Sequence, residues 1–173
     1  MPEVVFCGGY YGKTFNEGTR ERIEAIIALK DAGIDVGVVG TGWPKGFAIG
    51  QCHVKQQHHV YTRAKVCLSI NHFNHIERYY SDRQLIAMAS GRPVACRYVP
   101  GLEEEFIHGK ECMMWRNTTE LVDMVKLLLR DTEFAAQVGA AGRAKVIAEH
   151  TWSARITQLR PVAEAWRAEL GAA

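Results

Sequence analysis

Short apolar runs recur along the chain, separated by longer segments with helical period. The five runs are EVVFCGG (3–9), IDVGVVGTGW (34–43), KVCLSI (65–70), RPVACRYV (92–99) and ECMMW (111–115). Because apolar residues follow one another in them, without regular alternation with polar residues, the runs are typical of strands that are buried on both faces. The pattern predicts five buried strands.

The segments between the runs predict helices. In the first segment, helical period starts only near Thr19, and four residues share its spacing: Ile23, Ile26, Ile27 and Lys30. The segment 81–91 has Ser81 or Asp82 as its N-cap and Gly91 after its end.

Three further helices are predicted in the last third of the chain, and the second of them follows Asp131. Asn117 and Glu120 form a capping-box-like pair at the start of an apolar stripe. The tail from Thr151 has helical period and is predicted to break near Pro161, because proline lacks the backbone N–H that a helix needs.

Strands and helices alternate without a repeat or linker, which predicts a parallel sheet with helices on both faces. The sequence therefore predicts an α/β fold, a Rossmann-like three-layer α/β/α domain over 1–173, with 151–173 as a C-terminal helical tail. Ligands of such folds bind beyond the carboxyl ends of the strands, where the strand order reverses.

Composition and charge exclude several classes of protein. The net charge of +2 does not supply the broad basic face of a nucleic-acid-binding protein. No apolar run reaches the ~18 residues that span a bilayer, and the N-terminal MPEVVF lacks the pattern of a signal peptide. We therefore expect a cytoplasmic protein with no nucleic-acid partner and no transmembrane segment.

The cysteines and histidines do not predict a metal site. The five cysteines are scattered and never spaced C-x-x-C, so we expect buried free thiols in a reducing compartment. Zinc needs three or four convergent ligands. His58 and His59 are adjacent on a predicted helix and point in different directions, so we expect no metal.

Gly12-Lys13-Thr14 looks like the end of a phosphate-binding P-loop, but its spacing is wrong. The P-loop pattern requires a glycine where this chain has Cys7, and the helix should begin directly at the Lys-Thr pair. Gly8 and Gly9 nevertheless leave the first strand at its carboxyl end, where backbone N–H groups can approach an anion. Lys13 and Arg20 would add positive charge there, unless this is a plain turn with two solvated cations.

The stretch SDRQLIAMASGRPVACRYVPGLEEEFIHGKECMMW (81–115) resembles the C-terminal, donor-binding half of GT-B-fold glycosyltransferases. It is most similar to the CgeB-like subgroup, which is akin to family 4, and the resemblance covers about 4–160. It implies binding of a nucleotide-diphosphate sugar without a metal. It also implies sugar transfer to an unknown acceptor, which is held by an N-terminal GT-B half in the same or another chain.

The resemblance also implies roles for individual residues. Lys13, Arg20 and Arg83 are candidates to stabilise the charge that grows on the leaving diphosphate, and Glu104 is expected near the donor sugar. Backbone or side-chain contacts to the donor are expected from a further set: Gly8, Gly9, Val54, Asn71, Ser81, Gly101, Leu102 and Glu103. The alternatives are a surface cation for Arg83, an acid favoured by the helix dipole for Glu104, and loop capping for Asn71.

One position departs from the family 4 pattern. Ile86 stands where these enzymes carry the glutamate that holds the ribose hydroxyls, and an isoleucine cannot accept a hydrogen bond. Either Ser81, Asp82 or another residue takes over, or donor binding is altered or lost. A non-enzymatic nucleotide-binding or interaction module on the same fold therefore stays open, as does a flavodoxin-like or epimerase-like protein if the resemblance is accidental.

Overall fold

A computed structural model describes residues 1–12 and 16–171. Five parallel strands form one sheet in the order β2-β1-β3-β4-β5. The strands are β1 (Val4–Cys7), β2 (Val36–Val39), β3 (Val66–Ser69), β4 (Val94–Arg97) and β5 (Met113–Trp115). All five predicted strands are confirmed, and nearly every residue in them is buried.

Helices cover both faces of the sheet, which confirms the three-layer α/β/α fold. The helices are α1 (Asn16–Asp31), α2 (Gln57–Tyr61), α3 (Asp82–Ala89), α4 (Leu102–Glu105), α5 (Thr118–Arg130), α6 (Thr132–Glu149) and α7 (Trp152–Gly171). Side chains of α1 and α5 pack on the sheet face that carries Phe6 and Leu68. Side chains of α2 and α3 pack on the opposite face, beside Cys7 and Cys67.

The buried face of α1 differs from the predicted one. The helix begins at Asn16, before the predicted start, and Ile27 on the predicted inner face is 44% exposed. The side chains that are buried in this helix include Arg22, Ile26 and Leu29. The sequence pattern missed this phase because its inner stripe contains an arginine.

The C-terminal tail forms one helix, contrary to the predicted break. Pro161 lies inside α7, which continues on both sides of it and buries no residue. A proline removes the hydrogen bond of its own missing N–H, while the turns on either side keep theirs. Across the described parts of the chain, no helix combines the length and apolar character needed to cross a membrane.

The predicted cap at Asn117 and the predicted buried thiols are present, whereas Ser81 occupies the N-cap position of α3 without a side-chain capping bond. The Asn117 side chain accepts a hydrogen bond from the Glu120 amide at 2.9 Å, and the Glu120 carboxylate accepts one from the Arg116 amide at 2.7 Å. All five cysteines are free, and four are buried: Cys7, Cys67, Cys96 and Cys112. Buried thiols are thus confirmed as part of the core.

The strand order reverses at β1, which has β2 on one side and β3 on the other. In the ladder between β1 and β3, Phe6 lies beside Leu68. The chain leaves these two strands at the same edge of the sheet, so the loops that start at Gly8 and Ile70 lie next to each other. This edge is where the fold predicts a ligand.

Candidate functional site

Two arginines from opposite layers of the fold meet at this edge. Arg22 on α1 donates from Nε and Nη2 to the Ile70 carbonyl at 3.2 and 3.0 Å, and from Nη1 to the Gly9 carbonyl at 2.9 Å. Arg83 on α3 donates from Nη1 to the same Ile70 carbonyl at 3.3 Å. The two guanidinium groups therefore converge over the ends of β1 and β3.

Both guanidinium groups lie over the ring of Phe6, in cation–π contact with it. The Cζ atom of Arg22 lies 5.4 Å from the ring centroid, and that of Arg83 lies 5.7 Å from it. Within residues 1–12 and 16–171, neither arginine forms an ion pair with a carboxylate. Burial and the charge of Arg83 lower the pKa of Arg22 to about 9, which leaves it protonated at neutral pH.

The nearest acid on α1 is bound elsewhere. The Glu21 carboxylate faces Arg97, whose Nη2 lies 3.3 Å away, and it also accepts a hydrogen bond from the Asn74 amide. The same amide donates to the Asn71 carbonyl at 3.2 Å. Glu21 is therefore occupied by a neighbouring polar network and does not neutralise Arg22.

Three buried polar atoms without hydrogen-bond partners lie on the two segments that carry the arginines. They are Thr19 Oγ1, Ser81 Oγ and Arg83 Nε, each without a partner among the described residues. Thr19 lies one helical turn before Arg22, and Ser81 lies two residues before Arg83. Since buried polar groups are nearly always paired, each of these atoms indicates a place for ordered water or a polar ligand.

Asn71 fixes the entry to α3. Its Oδ1 accepts a hydrogen bond from the Ser81 amide at 3.1 Å, and its Nδ2 donates to the Tyr79 carbonyl at 3.5 Å. Asn71 is 1% exposed. These contacts match the loop-capping alternative, and Asn71 positions the helix that carries Arg83.

Gly8 is committed to the fold and is not a free anion donor. Its N–H donates to the Val39 carbonyl at 2.9 Å, and its carbonyl accepts a hydrogen bond from Trp43 Nε1 at 2.7 Å. A Cβ at Gly40 would lie 2.0 Å from the Gly8 oxygen. The geometry therefore does not support the predicted role of the Gly8 amide, and Gly9 contributes its carbonyl to Arg22.

His72 follows β3 beside the two arginines, and its pKa is lowered to about 4 by burial and then by Arg22 and Arg83. In the unfolded chain its pKa returns to ~6.5. Between these values only the unfolded chain binds the proton, so stability should fall as the pH drops from ~6.5 towards 4.

We expect the free energy of unfolding of His72→Asn to lose this part of its pH dependence. The measurement is the free energy of unfolding of the unmodified chain and of the variant at several pH values. The difference between the two free energies at pH 8 reports packing alone, because both side chains are neutral there. A difference that stays constant down to pH 4 would contradict the lowered pKa of His72.

A second group of predicted residues, which includes Glu104, lies after β4. This group is contacted by Arg78 from the loop after β3. Arg78 has a φ of 56°, unusual for a residue with a side chain, and its amide donates to the Pro100 carbonyl at 2.7 Å. Its guanidinium forms an ion pair with Glu104, and both side chains are about half exposed. The predicted donor-sugar acid is therefore held by a cation from the loop that follows β3.

The predicted backbone donors at the start of α4 are already engaged. The Leu102 amide donates to Val99 at 3.0 Å, and the Glu104 amide donates to Gly101 at 3.2 Å. Hydrogen bonding at its own backbone and then to Tyr98, whose hydroxyl donates to the carboxylate at 3.0 Å, lowers the pKa of Glu103. The Leu102 side chain is fully buried in the core. A ligand that binds the backbone at this turn would compete with the Glu103 carboxylate.

If pyrophosphate binds at this turn, as the sequence predicts, Glu103→Gln should raise its affinity by about threefold, since a neutral amide competes less strongly for the backbone N–H groups. The measurement is calorimetric titration, with Glu164→Gln, the same substitution at an exposed position of α7, as the control. An affinity that is unchanged or lower in Glu103→Gln would contradict this prediction.

Two predicted residues are not brought to the edge by the described geometry, and a third is not among the described residues. Arg20 is exposed and pairs with Glu24 at 3.6 Å. Val54 lies in a 3-10 turn and lines an outer groove of about 480 Å³ together with Ile86. Lys13 lies outside the described residues.

Arg22 is not among the residues that the sequence predicted for the site. The available signal was its spacing, four residues before Ile26 and seven before Leu29, which places it on the buried face of α1. In the described parts of the chain, no three His, Cys, Asp or Glu side chains come together as metal ligands would.

The family of the chain follows from its sequence match. A family model described as glycosyl transferase-like matches residues 20–160. The chain belongs to this glycosyl transferase-like family. No curated protein sequence gives a significant match.

Solved structures show the same fold as this glycosyl transferase-like chain. Sucrose-phosphate synthase from Thermosynechococcus elongatus has a TM-score of 0.73 at 19% identity, over 99% of this chain and 46% of that one. The C-terminal domain of LpcC, a glycosyl transferase group 1 family protein from Francisella tularensis, has a TM-score of 0.61 at 17% identity, over 86% of each chain. The fold is that of a GT-B C-terminal half.

Anabaena HepE, solved in complex with UDP, has a TM-score of 0.63 at 15% identity, over 96% of this chain and 49% of that one. This chain therefore spans about half the length of sucrose-phosphate synthase and of HepE. The CgeB-like and family 4 assignments are finer than these matches reach.

Proposed function

We propose that this chain is the donor-binding half of a glycosyltransferase, and that it holds the diphosphate of a nucleoside diphosphate sugar at the carboxyl ends of β1 and β3. The observation that carries the proposal is the convergence of Arg22 and Arg83 on one carbonyl, with no carboxylate paired to either among the described residues. HepE, which shares the fold, has been solved with UDP and with UDP-glucose.

The proposed chemistry places positive charge where negative charge develops. When the bond between sugar and diphosphate breaks, the leaving diphosphate gains negative charge. Arg83 is only partly buried and lies at the surface of the edge, so it would contact the diphosphate directly. Lys13 is a further candidate by resemblance, and the proposal does not require a metal.

The acceptor site is proposed to lie on an N-terminal GT-B half, in this or another chain. Helix α7 presents a row of exposed apolar side chains for such a partner: Trp152, Ile156, Leu159, Val162, Trp166 and Leu170. Scattered exposed apolar residues are normal, but a continuous row of this kind marks an interaction surface. The chain alone would then transfer little or no sugar.

A second candidate is a nucleotide-binding module without transferase activity. Ile86 favours it, because its apolar side chain lines the groove beside Val54 and offers no acceptor for ribose hydroxyls. This candidate and the first share the anion site and differ in whether sugar transfer follows.

Titration with UDP-glucose, UDP, GDP and ADP tests the proposal. We expect saturable binding of at least one nucleotide, and no sugar transfer from UDP-glucose by the purified 173-residue chain. A folded chain that binds none of them would overturn the donor-binding proposal. Transfer by the chain alone would overturn the requirement for a second half.

A further inference from the structure

Arg22 is the least accessible cation of the site. Its relative exposure is 0%, and it is the largest fully buried side chain of the described residues. A buried charge costs folding free energy unless it is paired. No carboxylate pairs with it in the described structure, and its stated hydrogen bonds go to neutral backbone carbonyls.

Those carbonyls belong to the two loops that form the edge. By bonding to both Gly9 and Ile70, Arg22 ties the end of β1 to the end of β3. The α1 backbone is pressed against the same loop, since a Cβ at Gly18 would lie 2.5 Å from the His72 Cα and carbonyl oxygen. The guanidinium is therefore fixed in place beneath the site, where it cannot swing out to meet a ligand.

A fixed charge below the site acts on a ligand through its field. The terminal phosphate of a nucleoside diphosphate ionises a second time near pH 6. The same phosphate has no second ionisation when it is esterified to a sugar. At pH 8 UDP thus carries about one more negative charge than UDP-glucose. A buried, weakly screened cation therefore attracts UDP more strongly than UDP-glucose.

We propose that Arg22 is a positioning residue whose uncompensated buried charge makes the site bind a nucleoside diphosphate more tightly than the corresponding diphosphate sugar. The inference rests on the proposed donor-binding function. The same preference would lower the free energy of the transition state for transfer, in which the diphosphate is already part of the way to its leaving state.

The test is calorimetric titration of the 173-residue chain with UDP and UDP-glucose at pH 8 and fixed salt. In the unmodified chain, UDP should bind about tenfold more tightly than UDP-glucose. Arg22→Gln should reduce this ratio to about threefold or less, whereas Arg22→Lys, which keeps the charge, should preserve most of it. Arg130→Gln, at the far end of α5, makes the same substitution away from the site and should leave the ratio unchanged.

The ratio of the affinities for UDP and UDP-glucose distinguishes an effect of the Arg22 charge from a purely structural effect. A purely structural Arg22 would lower both affinities together in both variants and leave the ratio intact, which overturns the inference. If Arg22→Gln does not fold, the unmodified chain decides, because a ratio near one is incompatible with the proposal.

Inorganic pyrophosphate separates this inference from the proposed function. One outcome is that the chain binds pyrophosphate but no nucleotide, with weaker pyrophosphate binding in Arg22→Gln. That result would contradict the donor-binding proposal and still support the role of the Arg22 charge. Failure of both pyrophosphate and nucleotides to bind a folded chain would overturn both.

Discussion

Arg83→Gln should weaken UDP binding by about 10- to 100-fold, the loss expected when a charge-assisted hydrogen bond to a phosphate is removed. Arg83 reaches the edge from α3, bonds to the Ile70 carbonyl and lies over Phe6. It is less buried than Arg22, so its free N–H groups can meet a phosphate directly. Glutamine keeps a donor at this position but removes the charge.

Calorimetry on the variant and on Arg130→Gln checks this prediction. The control should bind UDP as the unmodified chain does, and both variants should keep the thermal midpoint within a few degrees. Equal UDP affinity in Arg83→Gln and Arg130→Gln would show that Arg83 is only a surface cation, the alternative that its sequence context left open.

Gly18→Ala should destabilise the fold by about 2–3 kcal/mol and weaken UDP binding as well. The new methyl group would collide with backbone of the loop after β3, at 2.5 Å from His72 and 2.8 Å from the Asn71 carbonyl. Backbone at that position cannot rotate away as a flexible side chain does. The helix must shift, and with it the contact between Arg22 and Ile70.

Gly50→Ala is the matched control, because an added Cβ there meets no atom within 4 Å and its backbone is not left-handed. Urea unfolding gives the stability change and calorimetry gives the affinity. A Gly18→Ala protein as stable as Gly50→Ala would contradict the tight approach of α1 to this loop.

The sheet was predictable because its strands carry one simple signal. The VVFC run of β1 has no polar face, so burial on both sides determines its place in a parallel sheet. The cap at Asn117 was likewise local chemistry, visible as an amide three residues before a glutamate. Signals of this kind do not depend on distant parts of the chain.

The site was only partly predictable, because its chemistry is set by tertiary contacts. Arg83 was found through a resemblance, whereas Arg22 was overlooked because charged residues are rarely counted in an apolar stripe. The amides of Gly8 and Leu102 looked available in the sequence, but their partners Val39 and Val99 are known only from the fold.

Pro161 illustrates a limit of local rules. The proline predicted a break, yet α7 continues through it as a helix that buries no residue and presents its apolar row outwards. That exposed row is the reason to expect a second half.

The diphosphate is proposed to bind where β1 and β3 end, and titration of the isotopically labelled chain with UDP, followed by amide NMR, locates it residue by residue. We expect the largest chemical-shift changes on 8–11, 70–73 and 81–84, and smaller ones in Arg83→Gln. Shifts that instead centre on α6 or the amino ends of the strands, or no shifts at saturating UDP, would contradict this placement.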